Sequence, residues 1–133
     1  MSGGMNLAAL LQKMEPVLHA DPYGFGLLAV GAAVPMDVKP FAVISEPEGL
    51  TVVATTEVLC AAAIAHQGKW ARISLTVHSD LAAVGLTAAI AGELTRHQIS
   101  ANVVAGYFHD HVFVQWDRRD AAMAALIALT LAE

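Results

Sequence analysis

The sequence predicts an α+β fold in which antiparallel strands carry helices on one face, and three stretches predict it. Ala71 to His78, ARISLTVH, alternates strictly, with Ile73, Leu75 and Val77 on one side and Arg72, Ser74, Thr76 and His78 on the other. That is the period of a strand with one face on a core. Ala83, Leu86, Thr87, Ile90 and Leu94 then recur at the spacing of one helical face. Finally, ISANVVAGYFHDHVFVQW divides at Gly106–Asp110 into two β-rich runs, the pattern of a hairpin. With the Ala/Leu/Ile-rich run that follows Arg118, this half of the chain reads strand, helix, strand, strand, helix.

Bulk composition narrows the function classes. Of 133 residues, 56% are hydrophobic and 14% charged, against roughly 25% charged in an average domain. So little charge on a small body leaves apolar surface to cover, and a homo-oligomer, most simply a homodimer, is expected. The charge-free stretches Tyr23–Met36 and Leu81–Gly92 are shorter than a membrane span requires. A net charge of −5 without a Lys/Arg cluster argues against nucleic acid. No signal-peptide pattern opens the chain, and a cytoplasmic location is expected. Cys60 is alone, which leaves no disulfide framework, and it reads as a small buried hydrophobe.

In the first half, Leu7, Leu10, Leu11, Met14 and Leu18 sit at helical spacing, with Asn6 as N-cap and Pro16 disturbing the last turn. YGFGLLAV reads as a strand after the Asp21-Pro22 turn. Its Gly24-Phe25-Gly26 lacks the residues of a phosphate loop, and the glycines read as points of close packing. PFAVISE and LTVVATT form a second hairpin around Glu46-Pro47-Glu48-Gly49, whose carboxylates read as a solvated tip. Thr56 is expected to cap a helix running to about His66, stopped by Gly68. The first half thus reads helix, three strands, helix, and the boundary falls at Gln67–Lys69, giving halves 1–68 and 69–133.

The stretches SLTVHSDLAAVGLTAAI (Ser74–Ile90) and QISANVVAGYFHDHVFV (Gln98–Val114), together with LLQKMEPVL and EPEGLTVV, resemble the ACT-domain family, and within it the small proteins made of two tandem ACT-like halves. The resemblance implies a ferredoxin-like arrangement, a tandem repeat of antiparallel sheets with helices on one face. It also implies a non-catalytic, regulatory role: ACT domains pair and bind small effectors, often amino acids. Carried over by motif from lysine-sensing aspartate kinases, the ligand positions are Gly85, Leu86 and Thr87, then Ser100, Ala101 and Asn102. The loop containing Ser79 and Val84 would complete the crevice, with Tyr107 and Asp110 at its rim. No cofactor is implied.

The residues themselves support part of this. A loop feeding a helix N-terminus offers unpaired N–H groups and a dipole that favour a carboxylate. In the ferredoxin-like order, His78 ends the first strand of this half and His111 begins the third, which brings their rings close. His109 and His111 stand two apart, a metal-ligand spacing if both lie on a strand, so His78, His109 and His111 could form a zinc or nickel site. Hairpin-turn hydrogen bonding explains the same residues without metal. His19, His66 and His97 read as helix-end residues. Ser79 beside His78 points to the opposite strand face and lacks an oxyanion site, which disfavours nucleophilic catalysis. Trp70 and Trp116, near strand ends, read as packing residues. A regulatory small-molecule sensor, a histidine metal-binding module and a ligand-free assembly domain are the three readings that remain.

Overall fold

The computed structural model describes residues 7–76 and 85–131. Its elements in chain order are α1 (Leu7–Lys13), β1 (Pro16–Leu18), β2 (Tyr23–Leu28), β3 (Ala42–Glu46), β4 (Gly49–Thr55), α2 (Thr56–Ala61), β5 (His66–Leu75), α3 (Leu86–Arg96), β6 (Asn102–Ala105), β7 (Asp110–Gln115) and α4 (Arg119–Leu131). A short 3-10 turn, Trp116–Arg118, leads into α4. Two compact units result, residues 1–19 with 71–133 and residues 20–70. Among the described residues, 7–19 therefore pack with the second half of the chain, which the halves read along the sequence do not anticipate. Below, the 1–19/71–133 unit is called the outer-segment unit and 20–70 the central unit.

In the outer-segment unit, the C-terminal half of β5 lies between β1 and β7, and β6 closes the edge beyond β7. β1 pairs antiparallel with β5 (Pro16 opposite Leu75, Leu18 opposite Ile73), and β6 pairs antiparallel with β7 (Asn102 opposite Phe113, Ala105 opposite Asp110). The alternation expected in ARISLTVH is seen over Ala71–Leu75, and Val77 and His78 lie outside the described residues. Ala71, Ile73 and Leu75 are fully buried in one core with Leu10 and Met14, with Leu86, Ile90 and Leu94 of α3, and with Ala122 and Leu126 of α4. The i, i+4, i+8 spacing of the three α3 residues sets them on one stripe. Burying each such Leu or Ile contributes roughly 1.5–3 kcal/mol.

In the central unit the strand order is β3-β4-β2-β5, with the first half of β5 at one side. Two residues, Pro47 and Glu48, turn the β3–β4 hairpin, since Glu46 pairs with Gly49. Val52, Ala54, Leu59 and Ile64 form the core with Val38. β2 reaches it through glycine: a Cβ on Gly24 would stand 2.8 Å from the His66 ring, and one on Gly26 would stand 2.9 Å from Ile64 Cγ2. The two glycines do serve close packing, as the sequence suggests. Phe25 on the other face meets Trp70 edge-on at 6.0 Å, and Tyr23 meets Phe41 at 6.3 Å.

Several local expectations are corrected. α2 starts one residue earlier than Thr56 suggests, with Thr55 as N-cap and its side chain accepting from the Val58 amide. It stops at Ala61 rather than near His66, because Ala63 turns left-handed (φ 55°) and the Ile64 amide folds back on the Leu59 carbonyl. Gly68 is not a helix stop. It holds φ 75° within β5, where Tyr23 pairs with Trp70 but Phe25 pairs with Gln67, a bulge that inserts one extra residue. α1 ends at Lys13, as the disturbance from Pro16 suggests, but Pro16 also opens the three-residue strand β1, which adds a fourth strand to the first half. Cys60 is exposed rather than buried, on the last turn of α2.

Two glycine substitutions separate these roles. Gly26→Val should lower stability by about 1–3 kcal/mol through overpacking against Ile64. Gly92→Ala, at an α3 position where a Cβ meets nothing within 4 Å, should raise it by about 0.5–1 kcal/mol. Urea denaturation of both variants checks the pair; an unaffected Gly26→Val would contradict the packing described.

Candidate functional site

The polar side of β5 carries the most organised group of titratable side chains. Alternation that buries Ile73 and Leu75 turns Arg72 and Ser74 to the opposite face, and His111 at the start of β7 joins them. His19 arrives from the end of β1, its backbone amide donating to the Arg72 carbonyl at 2.9 Å. The Ser74 hydroxyl oxygen stands 2.7 Å from His19 Nε2 and 2.8 Å from His111 Nδ1. Arg72 Nε also donates to His111 Nδ1, at 3.4 Å.

Proton counting fixes the roles. An arginine can only donate, so His111 Nδ1 is an acceptor and the neutral ring carries its proton on Nε2. The single Ser74 proton then goes to His111 Nδ1, and the Ser74 oxygen accepts from His19 Nε2–H. Burial, and then the neighbouring Arg72 guanidinium, His19 and His109, push the His111 pKa down to about 4. Burial and Arg72 also lower that of His19. Both shifts favour the neutral ring. Ser74 is 8% exposed, and its hydroxyl links β5 to His111 of β7 and to His19, the residue that follows β1.

The hairpin loop lies beside this group. Gly106 N–H donates to the His109 carbonyl at 2.9 Å, closing a four-residue loop between β6 and β7. His109 therefore sits in the loop, before β7 begins at Asp110, and not on the strand with His111. Its Nδ1 is buried without a hydrogen-bond partner among the described residues. Burial raises the Asp110 pKa, opposed by the charge of His109. Tyr107 and Phe108 project from the tip, 78% and 62% exposed, their rings edge-on at 4.9 Å.

The sequence-predicted ligand residues divide by position. Gly85 takes a left-handed conformation (φ 96°) at the N-cap of α3, and its carbonyl accepts from Ala89. Gly85 has no side chain with which to cap this end, and the first turn holds no acid. Leu86 is buried, which leaves only its backbone available, whereas Thr87 is exposed. Ser100, Ala101 and Asn102 follow the other end of α3, where Gln98 turns left-handed and the Ile99 amide closes on the Leu94 carbonyl. The helical residues from Ala88 to Arg96 lie between the two sets, about 14 Å of rise. Ser79, Val84 and His78 lie outside the described residues. Among the described residues no three metal-binding side chains converge, and His111 Nδ1 is already engaged by Ser74 and Arg72.

Of the remaining histidines, His97 is the C-cap of α3 as expected, 3.2 Å from Glu93. His19 and His66 are corrected: the first follows β1 and the second opens β5. His66 Nδ1–H donates to the Ile64 carbonyl at 2.9 Å. Trp116 packs under the Arg119 guanidinium, 3.9 Å above its ring. No sequence pattern announces the Ser74 group as a whole. Arg72 and Ser74 were legible as one polar face, but nothing near His19 in sequence shows that β1 docks beside them.

Because His19 and His111 are depressed below 6.5 in the fold, the unfolded chain binds more protons. Their stability contribution is complete above about pH 6.5 and is lost as pH falls toward 4. Asp110, raised above 3.8, works in the opposite sense at the acid end. For half-buried His111 the loss should be on the order of 1–2 kcal/mol after solvent screening. Melting temperature should fall between pH 6.5 and 4, and His111→Gln should flatten that fall; an equally steep fall in the variant would contradict the assignment.

Among the described residues no helix is long and apolar enough to cross a membrane. Sequence profiles described as ACT domains match residues 2–70 and 66–128. No curated protein matches the chain. Among solved structures, a Vibrio cholerae protein of unknown function, described as a possible transport protein, is 42% identical over 94% of this chain and 96% of its own, with a TM-score of 0.84. An Agrobacterium tumefaciens protein shares the fold at 16% identity and TM-score 0.74, covering 89% of this chain and 90% of its own. So does the regulatory subunit of aspartate kinase from Thermus flavus, at 11% identity and TM-score 0.60, over 86% and 95%. The fold is thus the ferredoxin-like tandem expected, and the chain belongs to the ACT-domain family.

Proposed function

We propose that this regulatory ACT protein is a non-catalytic sensor that binds an amino acid or related small carboxylate at the start of α3. The observation that carries the reading is the glycine at the N-cap of that helix. Gly85 supplies no capping side chain and no acidic residue occupies the first turn, so backbone N–H groups at this end have no intrahelical acceptor and the helix dipole favours an anion. The exposed Thr87 hydroxyl adds a donor. Family membership supports a small effector, and the aspartate kinase regulatory subunit of the same fold supports regulation rather than turnover.

Geometry adds a condition. Gly85–Thr87 and Ser100–Asn102 sit at opposite ends of α3, so one ligand touches both sets only when a second copy supplies one of them. β6, which begins at Asn102, is an edge strand of its unit, with backbone groups available to such a partner. The sensor reading therefore includes a homodimer, whose equilibrium the ligand would bias through its differential affinity for the two states.

Thermal melts against each amino acid test it. A ligand at 100 times its Kd should add about 2.7 kcal/mol of stability. Thr87→Glu, which places a carboxylate at the same amides, should erase that shift while preserving the fold. No response to any amino acid, or a shift that survives Thr87→Glu, would sink the proposal.

A further inference from the structure

A recess in the central unit has no part in the α3 site. The face of β3, β4 and β2 turned away from Val52 and Ala54 is hollowed into an open cleft of about 540 Å³, whose walls include Phe25, Leu27, Ile44, Glu46, Thr51 and Gln67. The volume falls within the roughly 300–1,000 Å³ typical of small-molecule sites. The cleft exists because β2 alternates: Gly24 and Gly26 face the core, which sends Phe25 and Leu27 to the other side. Register completes it, since Leu27 and Ile44 both pair with Thr51. Three strands thus set an apolar floor side by side, with Leu27 59% and Ile44 45% exposed.

Charge decides the occupant. No Lys or Arg lines the cleft, and Glu46 is its acidic group. Thr51 Oγ1 donates to Glu46 Oε1 at 2.5 Å, which fixes the carboxylate at the rim and leaves its second oxygen for a ligand. The imidazole proton of His66, also a lining residue, is committed to the Ile64 carbonyl. We infer that the central-unit cleft is a binding site for a small primary amine bearing a branched aliphatic or aryl group. Its ammonium would sit on Glu46 and its hydrocarbon on Phe25, Leu27 and Ile44. A carboxylate or phosphate ligand would meet like charge there.

Isopentylamine is the probe, titrated into the full-length, ¹⁵N-labelled chain at pH 7 while backbone amide shifts are followed. Saturable shifts are expected at Phe25, Leu27, Ile44 and Thr51, with a Kd on the order of 1 mM for so small a ligand. Because Glu46 is exposed, Glu46→Gln should weaken binding about three- to fivefold. Isopentanol, which keeps the hydrocarbon and drops the charge, should weaken by a similar factor, and isovalerate should produce no shift at these amides. Equal Kd values for the parent chain and Glu46→Gln would overturn the proposal. So would the absence of saturable shifts at the four amides. Shifts at the same amides that grow with protein concentration, without amine, would assign the cleft to a second copy and also overturn it. Loss of amino-acid binding at α3 would leave this result untouched, since the two sites share no residue.

Discussion

The alternation of β5 between Ala71 and Leu75 constrains everything built around it. Three residues, Ala71, Ile73 and Leu75, are fully excluded from water beneath α1, α3 and α4. The two between them, Arg72 and Ser74, necessarily face the other way. A slip of one residue would press a guanidinium and a hydroxyl into the apolar core and expose Ile73 and Leu75. Register is therefore strongly specified, and with it the positions of β1 and β7, which flank this part of β5.

On the polar side the same strand makes a different kind of joint. Ser74 has one proton and sits between two imidazoles. With His111 Nδ1 as an acceptor shared by Arg72 and Ser74, the Ser74 oxygen is left to accept from His19 Nε2–H. The cost of enclosing polar groups is offset because each finds a partner, and the Arg72 charge discourages a second charge on His111. Neutral histidines are thus a structural outcome at physiological pH. The neighbouring loop is less complete, with His109 Nδ1 buried and unpartnered among the described residues, and it carries the two exposed aromatics Tyr107 and Phe108.

Much of the fold is legible in the sequence where period and length are both strong. α3, the β3–β4 hairpin and the β6–β7 hairpin are all where pattern puts them, because each repeats its signal over several residues. The failures are short or depend on distant partners. β1 spans three residues, too few for a period, and exists because Pro16 to Leu18 find Leu75 to Ile73. α2 ends at Ala61 although the apolar pattern continues, since the backbone at Ala63 turns left-handed to bring Ile64 back to Leu59. Gly68 has the right chemistry for a helix stop, and the same tolerance of positive φ serves a strand bulge instead. At the candidate site, the missing side-chain cap at the α3 N-cap position follows from Gly85 itself. The His19–Ser74 contact joins residues 55 apart, and no local pattern announces it.

The two halves use glycine and hydrophobic alternation to different ends. In the outer-segment unit three helices cover one sheet face, while in the central unit one short helix does so and the opposite face of β2 and β3 keeps Leu27 and Ile44 exposed. The proton arrangement around Ser74 is the point at which the account is most exposed to a direct test. Long-range ¹⁵N–¹H NMR of the imidazoles at pH 7 reads it without perturbing the protein. His111 should show the neutral tautomer protonated on Nε2, with a bare Nδ1, and His19 should also carry its proton on Nε2. An Nδ1-protonated or doubly protonated His111 would contradict the hydrogen-bond order on which β1, β5 and β7 are said to be joined.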